Sequence, residues 1–229
     1  PNQVRLLGDE IHDEGAVGLL LQGNAGLRSV VSQGCRPIGT PLVVTRAEEN
    51  VIFELGGVSP YKRLSDLFHT LSSEEQALFQ RGLHVGRVVD EYRDDFKQGD
   101  FLIRNVMGLD RSSGALVIGD RVRVGQTIQF QVRDARSADA ELRKLLQESV
   151  QPGRKPGGAL VFTCNGRGSN LFEVPDHDAA TVQELAGPLA LAGFFAAGEL
   201  GPIGGRNYIH GFTASLALFE EAAEHGAGA

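Results

Sequence analysis

The stretch Ala159-Leu-Val-Phe-Thr-Cys-Asn-Gly-Arg-Gly-Ser-Asn170 indicates the fold most directly. Its first six residues form a short apolar run closed by a turn signal, which is typical of a buried strand. The loop that follows carries two glycines, and Asp176 or Asp178 can then cap a helix that ends near Gly187. The local order is therefore strand, glycine-rich loop and helix.

The sequence before this stretch alternates between helix and strand patterns. Apolar residues at helical spacing predict a helix from Pro60 to Leu71, and the capping box Ser72-Ser-Glu-Glu75 predicts a second helix directly after it. Ser137 can cap a third helix that runs to about Val150. Patterns rich in β-formers and apolar residues predict strands at 16–21, 28–32, 41–45, 50–55, 83–89, 101–106, 116–118, 127–132 and, towards the end of the chain, 208–219.

These patterns together predict an α+β fold, with mixed or antiparallel sheets flanked by helices. A layered α-β-β-α arrangement is one form that such a fold takes. In the strand predicted at 127–132, Ile128, Phe130 and Val132 are expected to face a core. Gln129 and Gln131 alternate with them and are therefore expected to face solvent.

Composition excludes several classes of protein. With 41% hydrophobic and 22% charged residues in 229, the chain is globular. A net charge of −7 and scattered basic residues argue against a nucleic-acid partner, and the longest uncharged stretch, 185–198, is too short and too broken to span a membrane. Two cysteines provide neither a disulfide framework nor a zinc site. We therefore expect a cytoplasmic protein without a metal, and the absence of the common catalytic motifs argues against an enzyme and leaves no cofactor to expect.

The densest group of polar residues lies on two glycine-rich loops, at 164–170 and 199–207, with His210 shortly after the second. Glycines allow backbone amides to approach a ligand closely. Glu199 interrupts a run of small apolar residues, so its carboxylate needs a partner. The candidate ligand-binding residues are Cys164, Asn165, Arg167, Ser169, Glu199, Arg206, Asn207 and His210.

Alternatives stay open for these residues. The glycines can serve turn geometry alone, with Asn165 bonded to its own backbone. Cys164 is either a thiol activated by Arg167 or a small apolar residue that finishes a core strand. His210 is either an acid or base or a hydrogen-bonded core histidine. Glu199 binds a ligand amine, pairs with Arg167 or Arg206, or accepts backbone amides of the Gly-Pro-Ile-Gly turn that follows it. For Asp176-His177-Asp178, helix capping is a better explanation than metal binding.

Several longer stretches resemble the FIST family, in the family's own order. They are Phe101-Leu-Ile-Arg-Asn-Val-Met-Gly-Leu-Asp110, Gly125-Gln-Thr-Ile-Gln-Phe-Gln-Val-Arg-Asp134, Phe162-Thr-Cys-Asn-Gly-Arg-Gly168, Gly193-Phe-Phe-Ala-Ala-Gly-Glu-Leu-Gly-Pro202 and His210-Gly-Phe-Thr213. Residues 60–220 resemble the C-terminal FIST half. Residues 1–59, with Gly34-Cys-Arg-Pro-Ile-Gly39, resemble the end of the N-terminal half, and 221–229 is expected to be a frayed tail. The chain is therefore expected to be part of a longer protein.

The resemblance implies an intracellular sensory or signal-transduction domain that binds a small ligand, such as an amino acid or a derivative. Its partners would be that ligand and a signalling output domain or partner protein. From the residue types we expect Glu199 to take a cationic group and Arg167 or Arg206 an anionic one. Two other functions stay open: a redox switch or thiol enzyme that uses Cys164 with His210 as base, and a protein-recognition domain without a small ligand.

Overall fold

A computed structural model describes residues 4–150 and 155–221. The helices of these residues are α1 (Pro60–Thr70), α2 (Ser73–Arg81), α3 (Ala135–Ser149) and α4 (His177–Ala186), and a short 3-10 turn spans Gly168–Asn170. The strands are β1 (Arg5–Leu7), β2 (Glu10–His12), β3 (Ala25–Gln33), β4 (Cys35–Pro37), β5 (Leu42–Glu48), β6 (Val51–Leu55), β7 (Leu83–Val88), β8 (Phe101–Leu109), β9 (Leu116–Ile118), β10 (Thr127–Arg133), β11 (Gly158–Cys164), β12 (Ala190–Ala196), β13 (Glu199–Ile203), β14 (Arg206–His210) and β15 (Thr213–Glu221). The α+β prediction is confirmed.

The larger sheet closes on itself. Its strand order is β4-β10-β5-β6-β9-β8-β7. The last strand of that order, β7, also pairs with β10, through residues 128–132 of β10. Along its other edge β10 pairs with β5 and β4, so the antiparallel strands form a ring. The ring encloses an apolar core, against which Leu67 of α1 and Leu78 and Phe79 of α2 pack. We refer to this unit as the barrel.

The second sheet has the order β12-β11-β15-β3, in which β12 runs parallel to β11 and the other neighbours are antiparallel. We refer to it as the mixed sheet. Leu142 and Leu146 of α3 and Val182 of α4 pack on one face, in a core shared with Val161 and Leu216. The hairpin β13–β14 lies on the opposite face, where the Ser215 hydroxyl donates to the Leu200 carbonyl at 2.8 Å. This sheet therefore has helices on one side and a hairpin on the other. The architecture differs from the expected α-β-β-α layers, because the other sheet closes into a barrel.

Side-chain caps mark the starts of α1, α2 and α3, at Ser59, Ser72 and Asp134. The predicted capping box is present: Glu75 N–H donates to the Ser72 hydroxyl and Ser72 N–H donates to the Glu75 carboxylate. The third helix starts earlier than predicted, because Asp134 rather than Ser137 caps it, accepting from Arg136 N–H at 3.0 Å and from Ser137 N–H at 3.3 Å. In the described ranges, none of the helices has the length and apolar character that a membrane crossing requires.

The buried strand predicted at 16–21 is wrong. Residues 16–22 form no strand, and Leu19 and Leu20 are 84% and 79% exposed. An apolar run becomes a buried strand only where a neighbouring strand edge and a covering face are available. Neither meets this segment within the described ranges.

Two strand predictions need a smaller correction. Gln129 and Gln131 are both buried: Gln131 packs beside Gly86, and Gln129 Nε2 donates to the Gly39 carbonyl at 2.7 Å. The long strand predicted at 208–219 is two strands, β14 and β15, separated by Gly211 and Phe212. Phe212 has a φ of +64°, a backbone conformation that interrupts a strand.

Strands from both sides of residue 59 contribute to both sheets. β3 lies at an edge of the mixed sheet, and β4, β5 and β6 belong to the barrel. The boundary at residue 59 is therefore a boundary in the sequence, and both sheets contain strands from both sides of it. The predicted tail lies, apart from Glu221, outside the described residues.

Candidate functional site

Cys164, Glu199 and Thr213 meet where three strands begin or end. β11 ends at Cys164, β13 begins at Glu199 and β15 begins at Thr213. The Thr213 hydroxyl donates to Glu199 Oε2 at 2.9 Å, and Gly166 N–H donates to the Cys164 sulfur at 3.4 Å. Glu199 is only 2% exposed, and its Oε1 has no hydrogen-bond partner among the residues described. The sequence prediction of a buried carboxylate at this point is confirmed.

Arg167 lies nearby and is 1% exposed. Its Nε and Nη2 donate to the two carboxylate oxygens of Asp178 at 2.8 and 2.7 Å, and its guanidinium lies 5.2 Å from the Phe172 ring centroid. The third nitrogen, Nη1, has no partner in the described part of the chain. Gly168 follows with a φ of +55°, and a Cβ there would lie 2.8 Å from the Phe195 ring, so the turn requires glycine.

Asp178 and His177 extend this polar group to α3. His177 bonds through Nδ1 to Asp178 at 3.1 Å and through Nε2 to Asp139 at 2.9 Å, and its ring stacks on Phe172 with the centroids 3.5 Å apart. The predicted capping role of these acids is wrong: Asp176 makes no side-chain capping bond, and Asp178 pairs with Arg167 instead. The sequence carried no clear signal for this pair, because the burial of Arg167, which requires a carboxylate partner, is visible only in the structure.

Burial sets the protonation of these groups. Burial raises the pKa of Glu199, although hydrogen bonds from Thr213 and from the Cys164 thiol, and the charge of Arg167, oppose the shift. Burial would also raise the pKa of Asp178, but the hydrogen bonds and charge of Arg167 hold that pKa below its ordinary value. The pKa of the Cys164 thiol is raised by burial, against the opposing effect of the Gly166 and Phe212 amides. Arg167 and Asp178 are therefore an ion pair, whereas the Cys164 thiol is disfavoured as a thiolate.

The structure brings only some of the predicted site residues together. Cys164, Arg167 and Glu199 interact electrostatically, and His210 is the cross-strand partner of Glu199, with its Nε2 donating to the Gly201 carbonyl at 2.8 Å. Asn165 and Ser169 are exposed on the loop surface.

Arg206 and Asn207 lie elsewhere. Residues 199–207 are a strand and a hairpin tip rather than a loop, and both side chains are exposed at that tip. Arg206 pairs with Ile203, which lies four positions along the extended strand from Glu199, a distance of about 13 Å. Segment 199–207 therefore meets segment 164–170 only at its first residue, Glu199.

Phe212 is a contact that sequence reasoning missed. Its ring lies 4.3 Å from the His84 ring and 5.3 Å from the Arg133 guanidinium, and its backbone carbonyl lies against Gly34. A left-handed phenylalanine costs about 1–3 kcal/mol and persists only where surrounding contacts fix it. Phe212 thus joins the barrel to the mixed sheet beside Cys164.

Two cavities flank the turn at Gly168–Asn170. One, of about 270 Å³, lies next to Gly168 and is lined by Asp178, Phe194 and Phe195. The other, of about 410 Å³, is lined by Asn170 together with residues of α2 and α3. Within the described ranges no three His, Cys, Asp or Glu side chains are arranged to hold a metal ion.

Comparison with known proteins identifies the family. The FIST C domain model matches residues 60–202, and the FIST N domain model matches residues 2–58. The chain belongs to the FIST family. FIST domains are generally sensory domains of signalling proteins, which agrees with the resemblance seen in the sequence.

Relatives of this FIST chain occur in mycobacteria. It is 53% identical to the uncharacterized protein Mb0898c of Mycobacterium bovis and 52% identical to the uncharacterized protein Rv0628c of Mycobacterium tuberculosis. Each match extends over 218 residues and covers 94% of this chain and 56% of the relative. The chain thus spans about half the length of the curated relatives it matches.

Proposed function

We propose that this chain is a cytoplasmic sensory module that binds a small ligand carrying both a positive and a negative group, such as an amino acid or a derivative. Occupancy would be passed to a signalling output domain or partner protein. One observation supports this proposal above the others: Glu199 Oε1 and Arg167 Nη1 have opposite charge, are both buried, and both lack a partner in the described part of the chain.

An unmet polar atom in a protein interior is expensive. Leaving a buried donor or acceptor without a partner costs about 1–3 kcal/mol, and more where the group is charged. An ammonium group bonded to Glu199 Oε1 and a carboxylate bonded to Arg167 Nη1 would remove both penalties. The charge of Arg167 already acts on the pKa of Glu199, so the two groups lie near each other.

The remaining candidates take different parts in this proposal. Cys164 lies beside Glu199 as an uncharged wall of the site, and His210 holds the strand pair that presents Glu199. Asn165 and Ser169 form the exposed rim of the loop. Arg206 and Asn207, at the hairpin tip, are left out of the proposed contact set.

Thermal shift with amino acids, simple amines and simple carboxylic acids tests the proposal. A ligand at a hundred times its Kd stabilises the folded state by about 2.7 kcal/mol, which for a chain of this size raises Tm by roughly 5–10 °C. We expect a zwitterion to give this shift, and an amine or an acid alone to give less. The Glu199→Gln variant is expected to lose it, because its neutral amide cannot replace the carboxylate.

Glu173→Gln is the matched control, since it removes one exposed carboxylate from the segment between Arg167 and α4. It should bind as the unmodified chain does. If zwitterions stabilise the Glu199→Gln variant fully, or if no compound stabilises the unmodified chain, the proposal is wrong.

Protein recognition is a second candidate, and one observation favours it. Leu200 and Ile209 face each other across the β13–β14 hairpin and are 69% and 68% exposed. A partner bound there should be lost in a Leu200→Ser variant and kept in Glu199→Gln, the reverse of what a zwitterion site predicts. The thiol enzyme gains no such support, because His210 bonds to Gly201 and burial raises the pKa of Cys164.

A further inference from the structure

The cavity of about 410 Å³ has a surplus of positive charge. It lies between α2, the start of α3 and the turn at Gly168–Asn170. Its polar lining consists of Glu74, Arg81, Arg133, Asp134, Arg136 and Asn170. Three arginines therefore share one hollow with two carboxylates, in a protein whose net charge is −7.

Both carboxylates already have partners. Asp134 accepts from Arg36 Nε at 2.6 Å and from two backbone amides of α3, so its charge is neutralised outside the cavity. Glu74 faces Arg136 at 3.6 Å, and both side chains are largely exposed. Arg81 and Arg133 have no carboxylate within ion-pair distance in residues 4–150 and 155–221. The unbalanced charge of the cavity is thus on these two arginines.

Arg133 is held in place before any ligand arrives. Its Nη2 donates to the carbonyls of Gly166 and Asn170, and its guanidinium lies over the Phe212 ring. These partners are uncharged, and they leave Nε and Nη1 of the planar guanidinium for another acceptor. A guanidinium fixed in this way binds a carboxylate or phosphate with little loss of side-chain entropy.

We propose that this cavity binds a small oxyanion, the phosphate or carboxylate group of a metabolite, between Arg81 and Arg133. The site is distinct from the one proposed at Arg167 and Glu199, since it has different lining residues and needs no positive group on the ligand. Leu78 and Leu171 supply an apolar wall for the rest of such a molecule.

Isothermal titration calorimetry of the full chain with inorganic phosphate and with citrate, at constant ionic strength, tests this inference. We expect saturable binding of at least one anion, and the two arms distinguish a phosphate site from a carboxylate site. Arg81→Gln should weaken that binding about tenfold or more, because a hydrogen bond to a charged group is lost. Arg111→Gln, which removes one exposed positive charge in the turn after β8, should leave binding within about twofold.

Equal weakening in Arg81→Gln and Arg111→Gln would mean that the anions respond to net charge alone, and would overturn the inference. So would the absence of saturable heat with both anions. Arg133→Lys supplies a second check: it keeps the charge but loses the planar fork, so a folded variant, verified by circular dichroism, should also bind weakly. Failure here leaves the Glu199 proposal standing, since that one is tested with zwitterions.

Discussion

At the scale of single residues, burial determines the chemistry of this FIST chain. Glu199 and Arg167 carry opposite charges in the interior, but only Arg167 has a full ionic partner, Asp178. The sequence predicted Glu199 from its apolar surroundings and predicted Arg167 from its glycine loop. It could not predict Asp178 as the partner of Arg167, because that pairing depends on where α4 packs.

Removing Asp178 should be severely destabilising. Asp178→Ala leaves the buried Arg167 charge without its carboxylate, and breaking a buried pair in this way costs about 3–5 kcal/mol. Asp66→Ala breaks the exposed pair with Lys62 and should cost at most about 0.5 kcal/mol. Urea denaturation measures both, and similar losses in the two variants would contradict the burial argument.

Glu199 should make stability depend on pH in an unusual direction. Its folded pKa is raised by burial, so the folded state binds the proton more tightly than the unfolded state does. Its contribution to stability is therefore fully present below the unfolded pKa, about 4.3, and is lost as pH rises through the folded pKa. We expect Glu199→Gln without ligand to be the more stable form at pH 7, and the advantage to disappear near pH 4.

That comparison uses thermal unfolding of both proteins across the pH range. A Glu199→Gln variant that is less stable than the unmodified chain at pH 7 would show that the carboxylate already has a strong partner in the folded protein.

The two thiols should be inert in the folded protein. Burial raises the pKa of Cys35 to about 12 and also raises that of Cys164. Since the thiolate is the reactive form, iodoacetamide at pH 7 should label neither residue in native protein and both in denaturant. Mass spectrometry measures the labelling, and fast native labelling of Cys164 would revive the thiol-enzyme hypothesis.

At the scale of elements, local signals predicted the helices but not every cap, since Asp134 rather than Ser137 caps α3 and Asp176 makes no capping bond. The caps at Ser59 and Ser72 fix α1 and α2 because a cap bonds within its own turn. The run at 16–21 failed because burial of a strand needs a distant edge, which hydrophobicity does not reveal. The hairpin tip was predicted to be a ligand loop because glycine also serves turn geometry, and the sequence pattern does not separate the two uses.

Glycine at position 168 should be needed for two reasons that can be separated. Gly168→Ala suffers left-handed strain of about 1–2 kcal/mol and a clash with the Phe195 ring. Gly204 has a similar φ, +57°, but a Cβ there would meet Val89 only at 3.8 Å. Gly204→Ala should therefore show strain alone, and Gly168→Ala should be the more destabilised by chemical denaturation. Equal losses would remove the role given to Phe195.

At the scale of the whole molecule, the sequence predicted the α+β class but not the closure of the barrel. Closure depends on β10 pairing with β7 on one side and with β5 and β4 on the other, across nearly a hundred residues. Gln129 and Gln131 did not reveal it, because their alternation with apolar residues predicted exposure although both are buried. Of the residues at the candidate site, the sequence pointed to Cys164, Arg167 and Glu199, which lie near one another. It did not point to Phe212, which joins the two sheets beside them.

The closed barrel restricts where this molecule can grow. A ring of paired strands has few backbone groups left to receive another strand, whereas the mixed sheet ends in β12 and β3. Within the described residues, an extra strand from the same polypeptide or from a neighbour can therefore extend the mixed sheet at either of those two margins. A strand added beside β12 would lie next to Phe195 and the turn that carries Arg167. Its addition would therefore also change the surroundings of the proposed ligand site.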